Sequence, residues 1–366
     1  MKKWQILLLT ILVGLQFLGY AIIRPDIIGS DSYFYMSHLC GKIDNNAQGK
    51  LGWNDSIEKA LFGWMPCSFL WAKAVLFACC LLSVLLIAKM GELFDKENGW
   101  KAGSAAILLT PFLFLEFFKF ENCQIAWPIL FFGLYLWMAK KRLPALIITC
   151  FAGLIWHGAI LYMIAYSFSA SWTAIIFTSI IFGFVSIQQL AAFLPNFSVV
   201  ENWPIIGFTS MMLLLPAFSK IPKEIFWETA IIAFVALLNA KYAILLIPFL
   251  AIGAMHWFNQ LKPNFQSMVV AFGIGFYIII PFFILTAHPT QLDHSAIKTA
   301  LDLNKNIQND WDLGYWIIWD GGNPSAIAGG DYNNFDLHGI ILTQFKQPCP
   351  IVKDFNRLAI YNCGTN

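Results

Sequence analysis

The stretch Asp310-Trp311-Asp312-Leu313-Gly314-Tyr315-Trp316 lies about fifty residues from the C-terminus, in the one long polar region of an otherwise apolar chain. That contrast sets the fold class. Of 366 residues, 58% are hydrophobic and 12% charged, with mean hydropathy +0.65. A soluble domain carries about twice that charged share. The composition defines an all-α polytopic membrane protein, with residues 1–286 as its transmembrane domain. Residues 287–366 form a small mixed tail that carries the opening stretch. The net charge of +2 is too small for a nucleic-acid partner. Lys2 and Lys3 lead into an apolar run without a small-residue cleavage site, so the first span is expected to remain as an anchor.

Working back from the tail, a bilayer core needs about twenty apolar residues per helix, fewer where helices are packed in protein. The expected spans are Trp4 to Ile23, Cys67 to Lys89, Ala102 to Phe118 and Ile125 to Met138. Leu143 to Phe193 holds two spans or three; three, broken at Trp156-His157-Gly158 and at Ser169-Ala170-Ser171, are preferred because the side count below needs them. The last four run from Pro204 to Phe218, Glu224 to Leu238, Tyr242 to Trp257 and Met268 to Thr286. Arg24 to Met65 reads as a long polar loop. With these eleven spans, Lys2/Lys3, Lys96/Lys101, Lys140 to Arg142, Lys220/Lys223 and Lys262 all face the cytosol, as the positive-inside rule requires. Asp31, Glu121, Glu201, Lys241 and the tail then share the extracytoplasmic face of the cell membrane. Cys40 with Cys67, and Cys349 with Cys363, fall on that face as candidate disulfides, since such bonds persist in oxidising surroundings. Cys79, Cys80 and Cys150 lie in apolar runs and read as packing residues.

The polar residues on that face are few, and each admits two readings. Asp31 is either a solvated loop residue or a general base and ligand for a hard divalent cation. Glu121 sits in a very short break between two spans, where ionisable groups are costly and tend to be functional or paired. Lys119 is its candidate structural partner, and Glu116 is a second, weaker acid. Glu201 is the third outward acid. Lys241 lies between two short apolar helices and either snorkels to the interface or holds a phosphate. His157 reads as a packed residue at a helix break. Carboxylates with a metal suit a reaction in which a phosphate or pyrophosphate leaves.

Trp311-Asp312-Leu313-Gly314-Tyr315-Trp316 resembles the Trp-Trp-Asp-Tyr-Gly-Tyr-Trp signature of the oligosaccharyltransferase catalytic subunit, including its archaeal and bacterial single-subunit type. Asp31-Ser32-Tyr33-Phe34-Tyr35 is similar to the family's Asp-Pro-Tyr-Tyr-His-like motif. Phe120-Glu121-Asn122-Cys123-Gln124-Ile125 resembles its Tyr-Asp-Asn-Glu-Gly-Ile type of motif. Ser198-Val199-Val200-Glu201 looks like its external-loop Ser-Val-Ser-Glu motif. Ala240-Lys241-Tyr242 with Pro248 resembles a Val-Arg-Phe segment followed by Ala-Pro.

The resemblance implies a GT-C glycosyltransferase fold and metal-dependent transfer of a glycan from a polyprenyl (dolichyl-type) phosphate or pyrophosphate to the Asn of Asn-x-Ser/Thr. It implies Mg²⁺ or Mn²⁺ held by Asp31 and Glu121, with Asp31, Glu121 and Glu201 catalytic. Lys241 would meet the donor phosphate. Trp311, Asp312, Gly314 and Glu201 would bind the acceptor. The implied partners are a lipid-linked glycan, an acceptor polypeptide and membrane lipid.

The chain departs from the pattern at Asp310, Leu313, Cys123 and Lys241, and it is roughly half the usual family length. A GT-C transferase acting on a lipid or hydroxyl acceptor, and a non-catalytic relative, are the competing expectations.

Overall fold

A computed structural model describes residues 1–24, 26–28, 30–41, 63, 65–109, 112–120, 122–169, 215–238, 240–287, 291–309, 313–324, 339–343, 345–355 and 358–364. It is mostly helical. Three helical stretches among the described residues are long and apolar enough to cross a membrane: Lys3–Ile23, Phe69–Phe94 and Tyr242–Gln260. Cys123–Met138, Arg142–Ile155 and Pro263–Ile279 are shorter apolar helices. The expectation of about eleven spans is not reached among these residues; three such helices are consistent with a helical membrane protein.

The first helix, α1 (Lys3–Ile23), shows why the chain needs lipid. Gln5, Leu9, Val13, Gln16, Phe17 and Tyr20 are buried at helical spacing and form one stripe. Leu7, Leu8, Ile11, Leu15, Leu18 and Ile22 are exposed on the rest of its surface. An exposed apolar face of this extent is a surface for hydrocarbon, not for water. The buried stripe makes polar contacts as well. Gln16 donates to the carbonyl of Tyr277 at 2.7 Å, and the Tyr277 hydroxyl donates to that of Leu12 at 2.6 Å. In a low-dielectric interior such satisfied pairs fix the register of two helices.

The chain continues through α2 (Ser30–Leu39), α3 (Phe69–Phe94), α4 (Trp100–Leu108), α5 (Phe112–Phe117), α6 (Asn122–Met138), α7 (Arg142–Ile155), α8 (Ile160–Ser169) and α9 (Leu215–Phe218). Then come α10 (Phe226–Leu238), a 3-10 segment Ala240–Leu246, α11 (Ile247–Gln260) and α12 (Pro263–Ala287). Two expectations are corrected. The region Arg24 to Met65 is not loop throughout, because residues 30–39 are helical. The span Ala102 to Phe118 is split into α4 and α5. Pro111 stands in the sequence at that break, and proline can neither donate its amide nor tolerate the preceding helical carbonyl. The break at Trp156-His157-Gly158 is present: α7 stops at Ile155 and α8 starts at Ile160, with a 3-10 turn over His157–Ala159 between them.

The tail begins with α13 (Gln291–Leu303) and continues through β1 (Asn306–Asn309), α14 (Gly314–Trp319), β2 (Asn323–Pro324), β3 (Ile340–Thr343), β4 (Ile351–Asp354) and β5 (Ala359–Asn362). The sheet order is β2-β1-β3-β5-β4. The strand β1 is parallel to β2 and β3, whereas β5 is antiparallel to β3 and β4. Ile297 and Ala300 of α13 are buried, as are Ile341, Leu342 and Ile360 of the sheet it packs on. Both candidate disulfides are formed. Cys40–Cys67 ties the end of α2 to the start of α3, and Cys349–Cys363 staples the β4–β5 edge, with Cα–Cα separations of 5.4 and 5.0 Å.

The turn from α6 to α7 carries an unusual residue. Lys140 has φ 61°, and it ends α6 in a Schellman arrangement. The Lys141 amide reaches the Leu136 carbonyl, and the Lys140 amide reaches that of Trp137. This position favours glycine, because a Cβ in the left-handed region costs about 1 kcal/mol. Lys140→Gly is therefore expected to raise stability by up to about 1 kcal/mol. Thermal unfolding of the purified protein in detergent checks it; a loss of stability would contradict this account of the turn.

Candidate functional site

The end of α1 fixes a polar junction. Arg24 caps the helix, its amide bonding the Tyr20 carbonyl. Its guanidinium grips Asp26 with two parallel bonds, Nε to Oδ1 at 2.9 Å and Nη2 to Oδ2 at 3.0 Å. This fork geometry is specific to arginine. Lys73, buried on α3, donates its ammonium to the Arg24 carbonyl and lies over the Tyr20 ring, 4.5 Å from the centroid. The Tyr20 hydroxyl accepts from the Ile28 amide at 3.1 Å and donates to the Phe118 carbonyl at 2.8 Å. Buried polar groups are thus paired, as burial away from water requires.

The next link joins two of the segments singled out in the sequence. Ser32 Oγ donates to the Ile28 carbonyl and accepts from the Phe120 amide at 2.8 Å. Ile28 and Lys119 also form a parallel bridge. Ser32 and Phe120 are the chain neighbours of Asp31 and Glu121. Asp31 itself lies in the first turn of α2, not in a loop, where the helix dipole favours a negative charge.

The tail closes onto α2 from the other side. Tyr33 is fully buried, and its ring packs on Phe69, Trp316, Trp319 and His294 at centroid distances of 5.6, 5.7, 6.0 and 5.6 Å. Phe69 and Trp319 stack at 4.7 Å. The Tyr33 hydroxyl donates to Asp26 Oδ2 at 3.3 Å and meets His294 Nε2 at 2.8 Å. On its other side, His294 Nδ1 is 3.1 Å from Asp320 Oδ2. His294 Nε2 is also 3.7 Å from Asp26. The two ring nitrogens have a partner each, and the charged ring can donate to both. A charged imidazolium donates to Asp320 and to the Tyr33 oxygen, which leaves the Tyr33 proton for Asp26.

The electrostatics agree. Burial disfavours a charge on His294, but the nearby Asp26 and Asp320 carboxylates outweigh that, and its pKa is pushed up to about 9. Burial likewise disfavours ionised Asp26, yet His294 and Arg24 hold its carboxyl below the ordinary value. Burial, with the adjacent Asp26 charge, pushes the Tyr33 phenol well up, so it stays protonated.

The magnitudes divide the labour. Burying each large aromatic contributes roughly 1.5–3 kcal/mol, and each well-placed ring pair about 0.5–1.5 kcal/mol more. A buried ion pair contributes little net attraction but penalises a wrong geometry heavily. The rings hold the tail on, and the polar line sets where it sits.

Of the other sequence-predicted residues, Gly314 is the first residue of α14, and Lys241 lies in the 3-10 segment before α11. Glu121, Glu201, Trp311 and Asp312 lie outside the described residues. Lys119, expected as a partner for Glu121, pairs with Glu116 at 3.0 Å. Cys123 is buried, its thiol 3.2 Å from Gln124 Oε1. Tyr242, next to Lys241, reaches the α5–α6 corner through a row of rings: Trp156 at 6.0 Å, then Trp127 at 6.1 Å, then Phe117 at 5.2 Å. Among the described residues no group of three His, Cys, Asp or Glu side chains is placed to hold a metal.

Sequence reasoning passed over Asp26, His294, Asp320 and Lys73. The available signal was Arg24-Pro25-Asp26 directly after the first span, in a chain with few charges.

The junction makes a pH prediction. The His294 contribution is fully present below its unfolded pKa of 6.5 and is lost as pH rises through about 9, a difference on the order of 3 kcal/mol. The Asp26 contribution is present above its unfolded value of 3.8 and is lost as pH falls below it. Hydrogen exchange in α13 and α14, corrected for intrinsic rates, should be slowest between about pH 4 and 6.5 and should accelerate towards pH 9 and beyond. Protection that stays flat across that range would contradict the assignment of charge to His294. Comparison with protein-family models and with curated proteins returns no match.

Proposed function

We propose that this chain is a membrane glycosyltransferase of the oligosaccharyltransferase-like GT-C type, with about eleven spans and its active site on the extracytoplasmic face. It moves a glycan from a polyprenyl phosphate or pyrophosphate to the side-chain nitrogen of asparagine in Asn-x-Ser/Thr. The observation that carries the reading is a convergence. The segments around Asp31, Glu121 and Gly314 are far apart in sequence, yet Ser32 bonds to Phe120 and Tyr33 packs on Trp316. The aromatic row from Phe117 to Tyr242 extends this corner towards the segment that carries Lys241. Both disulfides fall on the face the charge count assigns to the outside, where such bonds persist.

In this reading Asp31 and Glu121 provide hard carboxylate oxygens of the kind Mg²⁺ or Mn²⁺ prefers. The bond between Ser32 and Phe120 brings together the backbone on either side of that donor set. The ion, when bound, would neutralise charge developing on the leaving phosphate. The anomeric carbon loses its bond to the phosphate oxygen, which departs with the electron pair. The same carbon gains a bond to the acceptor amide nitrogen, whose proton passes to a carboxylate. Asp31 orients that amide and takes the proton, while Glu201 contacts the acceptor asparagine. Lys241 attracts the donor phosphate as a point charge, without the bidentate fork of an arginine. Trp311, Asp312 and Gly314 read the Ser/Thr of the acceptor.

The test uses membranes supplied with a polyprenyl-linked glycan, an Asn-x-Thr peptide and Mn²⁺. Asp31→Ala should reduce glycopeptide formation by roughly two orders of magnitude or more. Trp311→Ala should raise the KM for peptide far more than that for the lipid donor. Wild-type transfer that survives excess chelator would remove the metal from the reading. Transfer to a lipid or hydroxyl acceptor but never to peptide would replace the acceptor class.

A further inference from the structure

We propose that His294 is a positioning residue, one that sets the distance between the helix carrying Asp31 and the helix that begins at Gly314. The inference rests on the functional reading above and adds a residue to it. His294 projects from α13, which is anchored in the tail by buried Ala296, Ile297 and Ala300. Its two ring nitrogens bond in opposite directions: Nδ1 meets Asp320, which follows the last turn of α14, and Nε2 meets Tyr33, two residues after Asp31 on α2. A side chain bonded at both ends fixes a separation. The ring packing of Tyr33 with Trp316 and Trp319 supplies attraction but tolerates sliding, because edge-to-face and tilted ring contacts span a broad range of distances.

The charged and titratable groups that the described residues bring to this point are Asp26, with Arg24 and Lys73 behind it, Tyr33 from α2 and Asp320 from the end of α14. Two carboxylates flank one imidazole, and Arg24 already satisfies Asp26 with both of its bonds. Removing the imidazole leaves the tail attached by its rings but leaves Asp320 without its ring nitrogen partner. The acceptor-reading helix then shifts relative to Asp31. The donor end, built around Lys241, lies beyond the row of rings and keeps its geometry. A displacement of about 1 Å in a reacting pair can cost on the order of a hundredfold.

The experiment compares wild type, His294→Ala and His294→Gln as full-length proteins in lipid nanodiscs. Hydrogen exchange is read first, without substrate. His294→Ala should accelerate exchange in Gln291–Leu303 and Gly314–Trp319 by roughly tenfold while α11 keeps its protection. Kinetics follow with a polyprenyl-linked glycan and an Asn-x-Thr peptide. The KM for peptide should rise roughly tenfold or more with the KM for the donor unchanged. His294→Gln, which can still bond to both Asp320 and Tyr33, should recover most of the loss. Unchanged exchange in both segments overturns the clasp. Equal loss for donor and peptide overturns the positioning role. If wild type transfers nothing to any peptide, the functional reading fails and the positioning role with it, while the exchange data still register the clasp.

Discussion

Five side chains in a row hold this molecule's two parts in register: Arg24, Asp26, Tyr33, His294 and Asp320. Each bonds to the next, and the row runs from the end of the first membrane helix to the end of the tail helix. A charged imidazole in the middle donates to both of its neighbours, Asp320 and the Tyr33 oxygen. The arrangement works because burial makes a mispaired charge expensive, so the line tolerates few geometries. The aromatic rings around Tyr33 supply the attraction that keeps such a demanding line assembled.

That junction also explains why the short helix after α1 exists. Its backbone is tied on one side by Ser32 to Phe120 and on the other by Tyr33 to the tail. The Cys40–Cys67 bridge then fixes its far end to α3. A ten-residue helix is marginal alone in water, so tertiary contacts must hold it. Asp31 belongs to the first turn of this helix.

The longest apolar helices were legible in the sequence to within a few residues, because apolar runs of membrane length leave little choice. The first two expected spans fall on α1 and α3, and the break at Trp156 falls where α7 gives way to α8. The split near Pro111 was legible in principle, since proline marks it, but the apolar run on both sides concealed it. The helix over residues 30–39 was not legible. Its sequence is mixed, with neither the length of a span nor the periodicity of a surface helix, and its stability comes from contacts with residues some 90 and 260 positions away.

By itself the sequence pointed to a helical membrane protein, placed several of its apolar helices, and offered Cys40 with Cys67 and Cys349 with Cys363 as candidate disulfides. It also singled out the segments around Asp31, Glu121, Lys241 and Trp311. Composition and local pattern suffice for this, because the cost of polar groups in hydrocarbon is paid residue by residue. Only the tertiary structure decided that Tyr33 and Ser32 join three distant segments. It alone showed that His294 bridges the tail to the membrane helices. Those outcomes depend on which side chains meet across long sequence separations, and a charge or a ring in a sequence does not name its partner.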